Sequence, residues 1–377
     1  MKTGIDINTN IITWAIARAG FEVHEFYNKF PRVKDWLEEN KKPTIKQLED
    51  FSHKVHVPFG YLFLKEPPKE KLPIPFFRTG NNQPSNVSIN VYDTILLTQR
   101  RQEWLADYLI NNGFENLNFV GKFKNKNNYQ EIVDDIRKTL NLEPEWASKF
   151  QRWEDALEFL TQTIEEIGII INFNGVVENN TSRPIKVDEC RGFVLVNNIA
   201  PFMFINAADG KAAQLFTIVH ELAHIWTGHS AGFDFRKLEP ANDPIEILCD
   251  KVAAEFLVPE TPFNRVWNQN PEIKTVAKHF KVSPIVIARR ALDLGKITKP
   301  AFFAFYDAYT AQLQFKKDNQ SGGGDFYATT KKRLSMRFAA HINQAVKENK
   351  LLYRDAYKLT SLKGETFQTF FNKHFIK

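Results

Sequence analysis

The chain has 377 residues, 43% of them hydrophobic and 25% charged, an ordinary globular composition that can bury roughly two to four structural units. No apolar run approaches the roughly 20 residues that span a bilayer, and the first 20 residues, with Asp6 among them, lack the order of a signal peptide, so a cytosolic protein with no membrane partner is expected. Cys190 and Cys249 exclude a disulfide framework, and the net charge of +6 gathers in residues 311–377, where 13 Lys/Arg stand against five Asp/Glu.

Residues 8–64 carry apolar positions at helical spacing, broken by Pro and Asn: Ile11, Ile12, Trp14 and Ala15, then Phe26 and Phe30, then Val33, Trp36 and Leu37, then Leu48, Phe51 and Val55, ending at Val57-Pro58-Phe59. Five small helices are expected, with Thr44 as an N-cap and Gln47 as its capping-box partner. Four prolines interleaved with charge in Lys65 to Pro75 predict an extended linker over 65–87. Helical periodicity resumes from Val91 to Ile110, in Gln130 to Leu140 and in Trp153 to Ile167. The period then changes: Gly168 to Phe173, Gly192 to Val196 and Pro201 to Asn206 read as strands, the last two as a hairpin.

A helix-length apolar stretch follows, with a turn at Asp209-Gly210 before it and Gly228 as its stop. Pro244 to Leu257 is a further helix with Pro244 in its first turn, and residues 276–287 and 356–367 have helix-turn-helix rhythm on either side of the flexible Ser321-Gly322-Gly323-Gly324. The fold class is therefore α+β, mostly helical, with units at 1–64, 65–87, 88–154, 155–292 and 293–377. The basic surplus of the last unit suits nucleic acid or an acidic partner, although a solvated lysine-rich face has the same composition.

Within the stretch preceded by Asp209-Gly210, His220-Glu221-Leu222-Ala223-His224 has HExxH spacing. On a helix, positions i and i+4 share one face, so both imidazoles can reach one Zn²⁺ and Glu221 can act on a water there. The pattern HExxHxxGxxH fails, because Gly228 and His229 stand four and five residues after His224. A third ligand must come from elsewhere. Glu246 and Asp250 share a face of the next helix, with the small Ala253 and Ala254 beyond, so Glu246 is expected as the zinc ligand and Asp250 as the acceptor that orients a ligand imidazole. Glu255, expected as a solvated carboxylate, and Asp243 are the other candidates. Glu221 would take a proton from the attacking water and deliver it to the leaving amine, while His229 or one of the tyrosines would supply an oxyanion donor.

These residues resemble those of ImmA/IrrE-type metallo-endopeptidases fused behind an XRE-like helix-turn-helix. The resemblance is carried by Phe216 to His224 and by Glu246 to Pro259, which is similar to the family's E-x-x-A-N-x-F-A-A-x-L-L-M-P. Cys249 and Asp250 stand where Ala and Asn are usual, and Val258 where Met is. Trp36-Leu37-Glu38, Pro43-Thr44, Gln47-Leu48-Glu49, Phe77-Arg78-Thr79 and Gly323 to Tyr327 extend it over nearly the whole chain. The resemblance implies an N-terminal XRE-like bundle, a zincin-like domain with a small sheet packed on the HExxH helix, one Zn²⁺ per chain, and a bacterial or phage-encoded cytoplasmic protease. It implies cleavage of an XRE-family repressor or antitoxin, with derepression of an operon as the result. In the N-terminal unit Pro31 stands where a recognition helix would start, leaving Asn28, Arg32 and Lys34 as the local candidates for contacts with DNA or a partner. A DNA-binding regulator that uses the protease fold as a sensor, or a module that docks a partner protein through residues 1–64, is the competing expectation. The oligomeric state stays open.

Overall fold

The computed structural model describes residues 4–68, 76–78, 87–234, 243–317 and 326–375. Its contacts divide the chain into two compact units, Met1–Pro73 with Asn86–Ile95, and Ile74–Ser85 with Leu96–Lys377.

The first unit contains α1 (Thr9–Arg18), α2 (Val23–Lys29), α3 (Pro31–Leu37) and α4 (Ile45–Val55), closed by a 3-10 turn at Phe59–Phe63. That turn stands in place of the expected fifth α-helix. Pro58 before it, Gly60 within it and Pro67-Pro68 soon after leave too few helix-forming residues to propagate i→i+4 bonds. Ile11, Ile12, Ile16, Phe26, Trp36, Phe51 and Leu62 share one buried cluster. Thr44 and Gln47 form the capping box of α4, the Gln47 amide donating to Thr44 Oγ1 over 3.4 Å and the Thr44 amide to Gln47 Oε1 over 2.9 Å. Only Phe30 separates α2 from α3, because Pro31 is well suited to the first turn of the new helix.

Of the expected linker, residues 69–75 and 79–86 lie outside the described residues, as does the glycine run at 321–324 with Asp325. Between the two linker segments, Phe76–Arg78 form β1. The second unit continues through α5 (Ile89–Asn111), whose residues to Ile95 group with the first unit, then α6 (Tyr129–Leu140) and α7 (Trp153–Glu166). Next come β2 (Ile170–Asn174), the short hairpin β3 (Val176–Val177) and β4 (Asn180–Pro184), β5 (Gly192–Leu195) and β6 (Phe202–Asn206). After them lie α8 (Lys211–Thr227), β7 (Ala231–Asp234), α9 (Pro244–Leu257), α10 (Glu260–Gln269), α11 (Ile273–Phe280) and α12 (Pro284–Asp293). The chain ends in α13 (Lys299–Lys317), α14 (Phe326–Leu334), α15 (Met336–Lys347), α16 (Tyr353–Thr360) and α17 (Gly364–Phe375).

The sheet has five strands in the order β1-β7-β5-β6-β2. β5 and β6 pair antiparallel, as the expected hairpin requires, and β5 also pairs antiparallel with β7; the outer pairs β1/β7 and β2/β6 are parallel. Every residue of β2 and β6 is buried. The strand period explains how β2 serves two layers: Ile171 and Phe173 enter the central core, while Asn172 between them donates to the Arg333 carbonyl of α14 over 3.0 Å. The same core holds Val194, Met203 and Ile205 from the sheet, Leu215, Ile218, Leu222 and Trp226 from α8, and Val252, Ala253 and Phe256 from α9.

Polar clamps join the later helices to this body. Gln102 of α5 donates to the carbonyls of Leu195 and Ala200 over 2.6 and 2.9 Å, fixing the β5–β6 turn. Arg101 donates through Nε to the Leu359 carbonyl over 2.7 Å, and burial lowers its pKa to about 10. Asn179 links the two sides, accepting from Arg333 over 3.0 Å and donating to the Ser361 carbonyl over 2.8 Å. No described helix is long and apolar enough to cross a membrane.

Candidate metal centre

α8 is buried from Thr217 through Thr227, so every polar side chain in this stretch must be matched inside the protein or bind something there. Gly228 ends the helix at φ 75°, a left-handed residue that turns the chain at once toward His229. α9 packs along α8, and its start is set by Asp243, whose side chain accepts from the amides of Ile245 and Glu246 over 2.8 and 3.4 Å. This cap and Pro244 place Glu246 in the first turn, with the fully buried Cys249 and Ala253 on later turns. Asp243 is thus engaged as a cap.

His220, Glu221, His224 and Glu246 are each at most 1% exposed. His220 Nε2 lies 3.2 Å from Glu246 Oε2, His224 Nε2 lies 3.2 Å from Glu246 Oε1, and the two Nε2 atoms are 3.2 Å apart. One ligand atom from each of the three residues falls within 4.8 Å of the others. A tetrahedral zinc site with bonds of about 2.0–2.1 Å to nitrogen has donor-to-donor edges of about 3.3 Å, so these spacings fit a single small cation. The donor set, two imidazoles and a carboxylate, is one that zinc accepts and that leaves a fourth position open.

Asp250 Oδ1 lies 3.0 Å from His220 Nδ1. An Nδ1–H donated to this carboxylate fixes the tautomer in which Nε2 presents its lone pair to the centre. Burial by itself lowers the pKa of His220, but its hydrogen bonds to Asp250 and Glu246 outweigh that and raise it well above the ordinary value. His224 has only Glu246 to offset burial and is lowered. Glu246 is also penalised by burial, yet the two imidazoles hold its carboxyl far below the usual range.

Glu221 is different in kind. Burial, with a smaller push from Glu246, raises its carboxyl to about 8, and neither of its oxygens has a hydrogen-bond partner among the described residues. One neighbour was not apparent from sequence. Gly192 of β5 presents bare backbone to α8, and a Cβ there would stand 2.6 Å from Thr217 Cγ2, 2.9 Å from the Phe204 carbonyl and 3.4 Å from Glu221 Oε1. Only glycine fits here, because a Cβ would clash with Thr217 and the Phe204 carbonyl beside Glu221; its place at the start of a short apolar strand, Gly192-Phe193-Val194-Leu195, was the one available signal.

The other expected positions separate clearly. His229 lies close enough for its charge to disfavour protonation of His224, and its Nδ1 is buried without a partner among the described residues. Glu255, expected to be solvated, is only 6% exposed and pairs with Arg290. Its place at the end of α9, facing α12, explains the difference: the solvent side there is covered by a helix whose arginine requires a counter-charge. Asn28, Arg32 and Lys34 are exposed residues of the first unit; Asn28 bonds His24 over 3.2 Å and Lys34 pairs with Glu38 at 3.7 Å.

A peptidase family model described as the IrrE N-terminal-like domain matches residues 164–292, the segment from the end of α7 to α12 that contains the whole centre. A second model, a domain of unknown function, matches residues 334–373, which span α15 to α17. No curated protein matches, and no solved structure matches. The segment 164–292 is thereby similar to the IrrE N-terminal-like peptidase domain, and it contains a buried His-His-Glu group that could hold a metal ion.

Proposed function

We propose that the protein is a zinc-dependent endopeptidase that cleaves an XRE-type repressor or antitoxin and so derepresses its operon, in the cytoplasm of a bacterium or from a phage gene. The observation that carries the peptidase reading is Glu221, a fully buried carboxyl without a hydrogen-bond partner among the described residues, beside three converging metal donors. A structural core does not retain such a group, since an unmatched buried polar atom costs about 1–3 kcal/mol and a charge more. The choice of substrate rests on the resemblance of Phe216 to His224 and Glu246 to Pro259, and of the segments before them.

In this reading His220, His224 and Glu246 hold the ion, and Asp250 keeps His220 in the binding tautomer. Zinc, when bound, supplies Lewis acidity toward the attacking water and the scissile carbonyl. Glu221 accepts a proton as the water oxygen bonds to the carbonyl carbon, then gives that proton to the amine nitrogen as the C–N bond breaks. His229, whose Nδ1 is buried without a partner among the described residues, would in this reading donate to the oxyanion.

The test is co-expression with an adjacent small XRE-type regulator, with fragments mapped by mass and zinc measured on the purified protease. About one zinc per chain and cleavage that Glu221→Gln abolishes without loss of zinc are expected. Full cleavage by Glu221→Gln, or a protein that takes up no zinc, overturns the reading.

A further inference from the structure

The first unit contains a cleft of about 270 Å³ between α2, α3 and α4. Its floor is apolar, built from Phe26, Val33, Trp36 and Phe51, and the half-buried ring of Phe30 forms one wall. Its mouth is cationic. Lys29, Arg32 and Lys54 line it, and Asp50 is the one acid among the lining residues. That acid is already engaged, with Lys46 Nζ at 3.3 Å. Lys54 is held in place, its ammonium 3.9 Å from the centre of the Phe30 ring, whereas Lys29 and Arg32 make no ion pair among the described residues.

An apolar floor beneath a positive rim selects two properties in one ligand: an aromatic or long aliphatic side chain to fill the floor, and carboxylates on either side of it to meet the rim. At about 270 Å³ the cleft lies near the lower end of small-ligand pockets, a size that suits one anchoring side chain. Duplex DNA would satisfy the cations but offers the floor nothing larger than a thymine methyl. The helix that would have to enter the groove, α3, is only seven residues long and starts at Pro31. We propose that this cleft docks a partner protein through an acidic segment carrying a single aromatic or aliphatic anchor. The docking is independent of the hydrolytic centre, so it holds or fails whether or not the peptidase reading does.

The experiment uses the full-length protein and fluorescence anisotropy. The probes are an array of labelled 12-residue peptides with one Phe, Trp or Leu set among Asp and Glu, the same peptides with Ala at the anchor or Lys in place of the acids, and a 20-base-pair duplex. Binding should require both anchor and acids, and each replacement should weaken it at least tenfold. Lys29→Glu with Arg32→Glu, two exposed positions outside the packed core, should weaken it at least tenfold with no change in melting temperature, and Phe30→Ala should have a comparable effect. Glu221→Gln should bind with unchanged affinity, which separates docking from catalysis. Absence of binding across the array at millimolar protein, binding indifferent to the charge reversals, or salt-sensitive duplex binding that displaces the peptides would each overturn the proposal.

Discussion

Helix α9 has a buried glutamate near each end, and the two are matched by different groups. At the C-terminal end Glu255 is matched: Arg290 pairs with its carboxylate, and the Glu260 amide donates to it over 3.3 Å. Arg137 reinforces the same corner, donating to the carbonyls of Glu255 and Phe256 over 2.8 and 3.1 Å. At the N-terminal end Glu246 faces two imidazole nitrogens that also face each other, and Glu221 beside it has no hydrogen bond among the described residues. This fold can therefore satisfy a buried carboxylate with a guanidinium when structure is the purpose. Where it leaves one unmatched, as at Glu221, the proposed function expects that group to serve the chemistry of the centre.

If that contrast is right, substitutions at the two ends separate activity from stability. The largest effect is expected at Glu221: Gln in its place should lower cleavage by about 10²–10⁴-fold, the range of a lost general base, while leaving the melting temperature unchanged or higher. Turnover and calorimetry on one preparation check this; a large loss of stability would show that the carboxyl is structural after all. At the other end the order reverses. Arg290→Met should cost about 3–5 kcal/mol by stranding Glu255, and Arg290→Met with Glu255→Leu should recover most of it, since an apolar pair can replace a buried ion pair. Urea midpoints measure both, and zinc content should not move. A double variant as unstable as the single one would break the comparison.

The two ends also differ in how far sequence exposes them. The convergence of Glu246 and Asp250 on the HExxH helix was legible because i, i+4 spacing and Pro244 at a helix start constrain both helices locally. The pairing of Glu255 with Arg290 was not, since it links positions 35 apart through the packing of α12, and no local period encodes that. The same holds for the sheet. β2, β5 and β6 are apolar runs that announce themselves, whereas β7 and β1 are strands of only four and three residues whose parallel pairing joins segments more than 150 positions apart. Gly192 belongs with these: its role comes from what a Cβ would strike on α8, which the strand's own residues do not reveal.

Asp250 offers a gentler probe of the N-terminal end, because it touches the centre only through His220 Nδ1. Asp250→Ala should weaken zinc binding by about 10–100-fold, the usual cost of removing a carboxylate that orients a ligand imidazole. Asp250→Asn keeps an acceptor and should lose less. Competition with a chromogenic chelator reads both, and equal affinity in Asp250→Ala and the parent would mean that Glu246 alone orients the ring.

The smallest expected effect concerns a third way of treating a buried ionisable group, which is to keep it neutral. His341 of α15 packs beside the rings of Tyr108 and Phe114, with centroids 6.1 and 6.2 Å away. Burial first, and the charge of Arg337 second, lower its pKa from 6.5 to about 4. Between those values the unfolded chain binds a proton that the folded chain refuses. Stability from this group is therefore complete above about pH 6.5 and is lost as pH falls toward 4, with the partial exposure of the ring limiting the loss to about 1 kcal/mol. Other groups also contribute to the dependence of stability on pH, so the informative quantity is a difference. The drop in unfolding free energy from pH 7 to pH 4.5 should be smaller by about 1 kcal/mol in His341→Phe, which keeps an aromatic ring against Tyr108 and Phe114 without the ionisable nitrogen. An identical drop in both proteins would mean that His341 accepts its proton in the folded state.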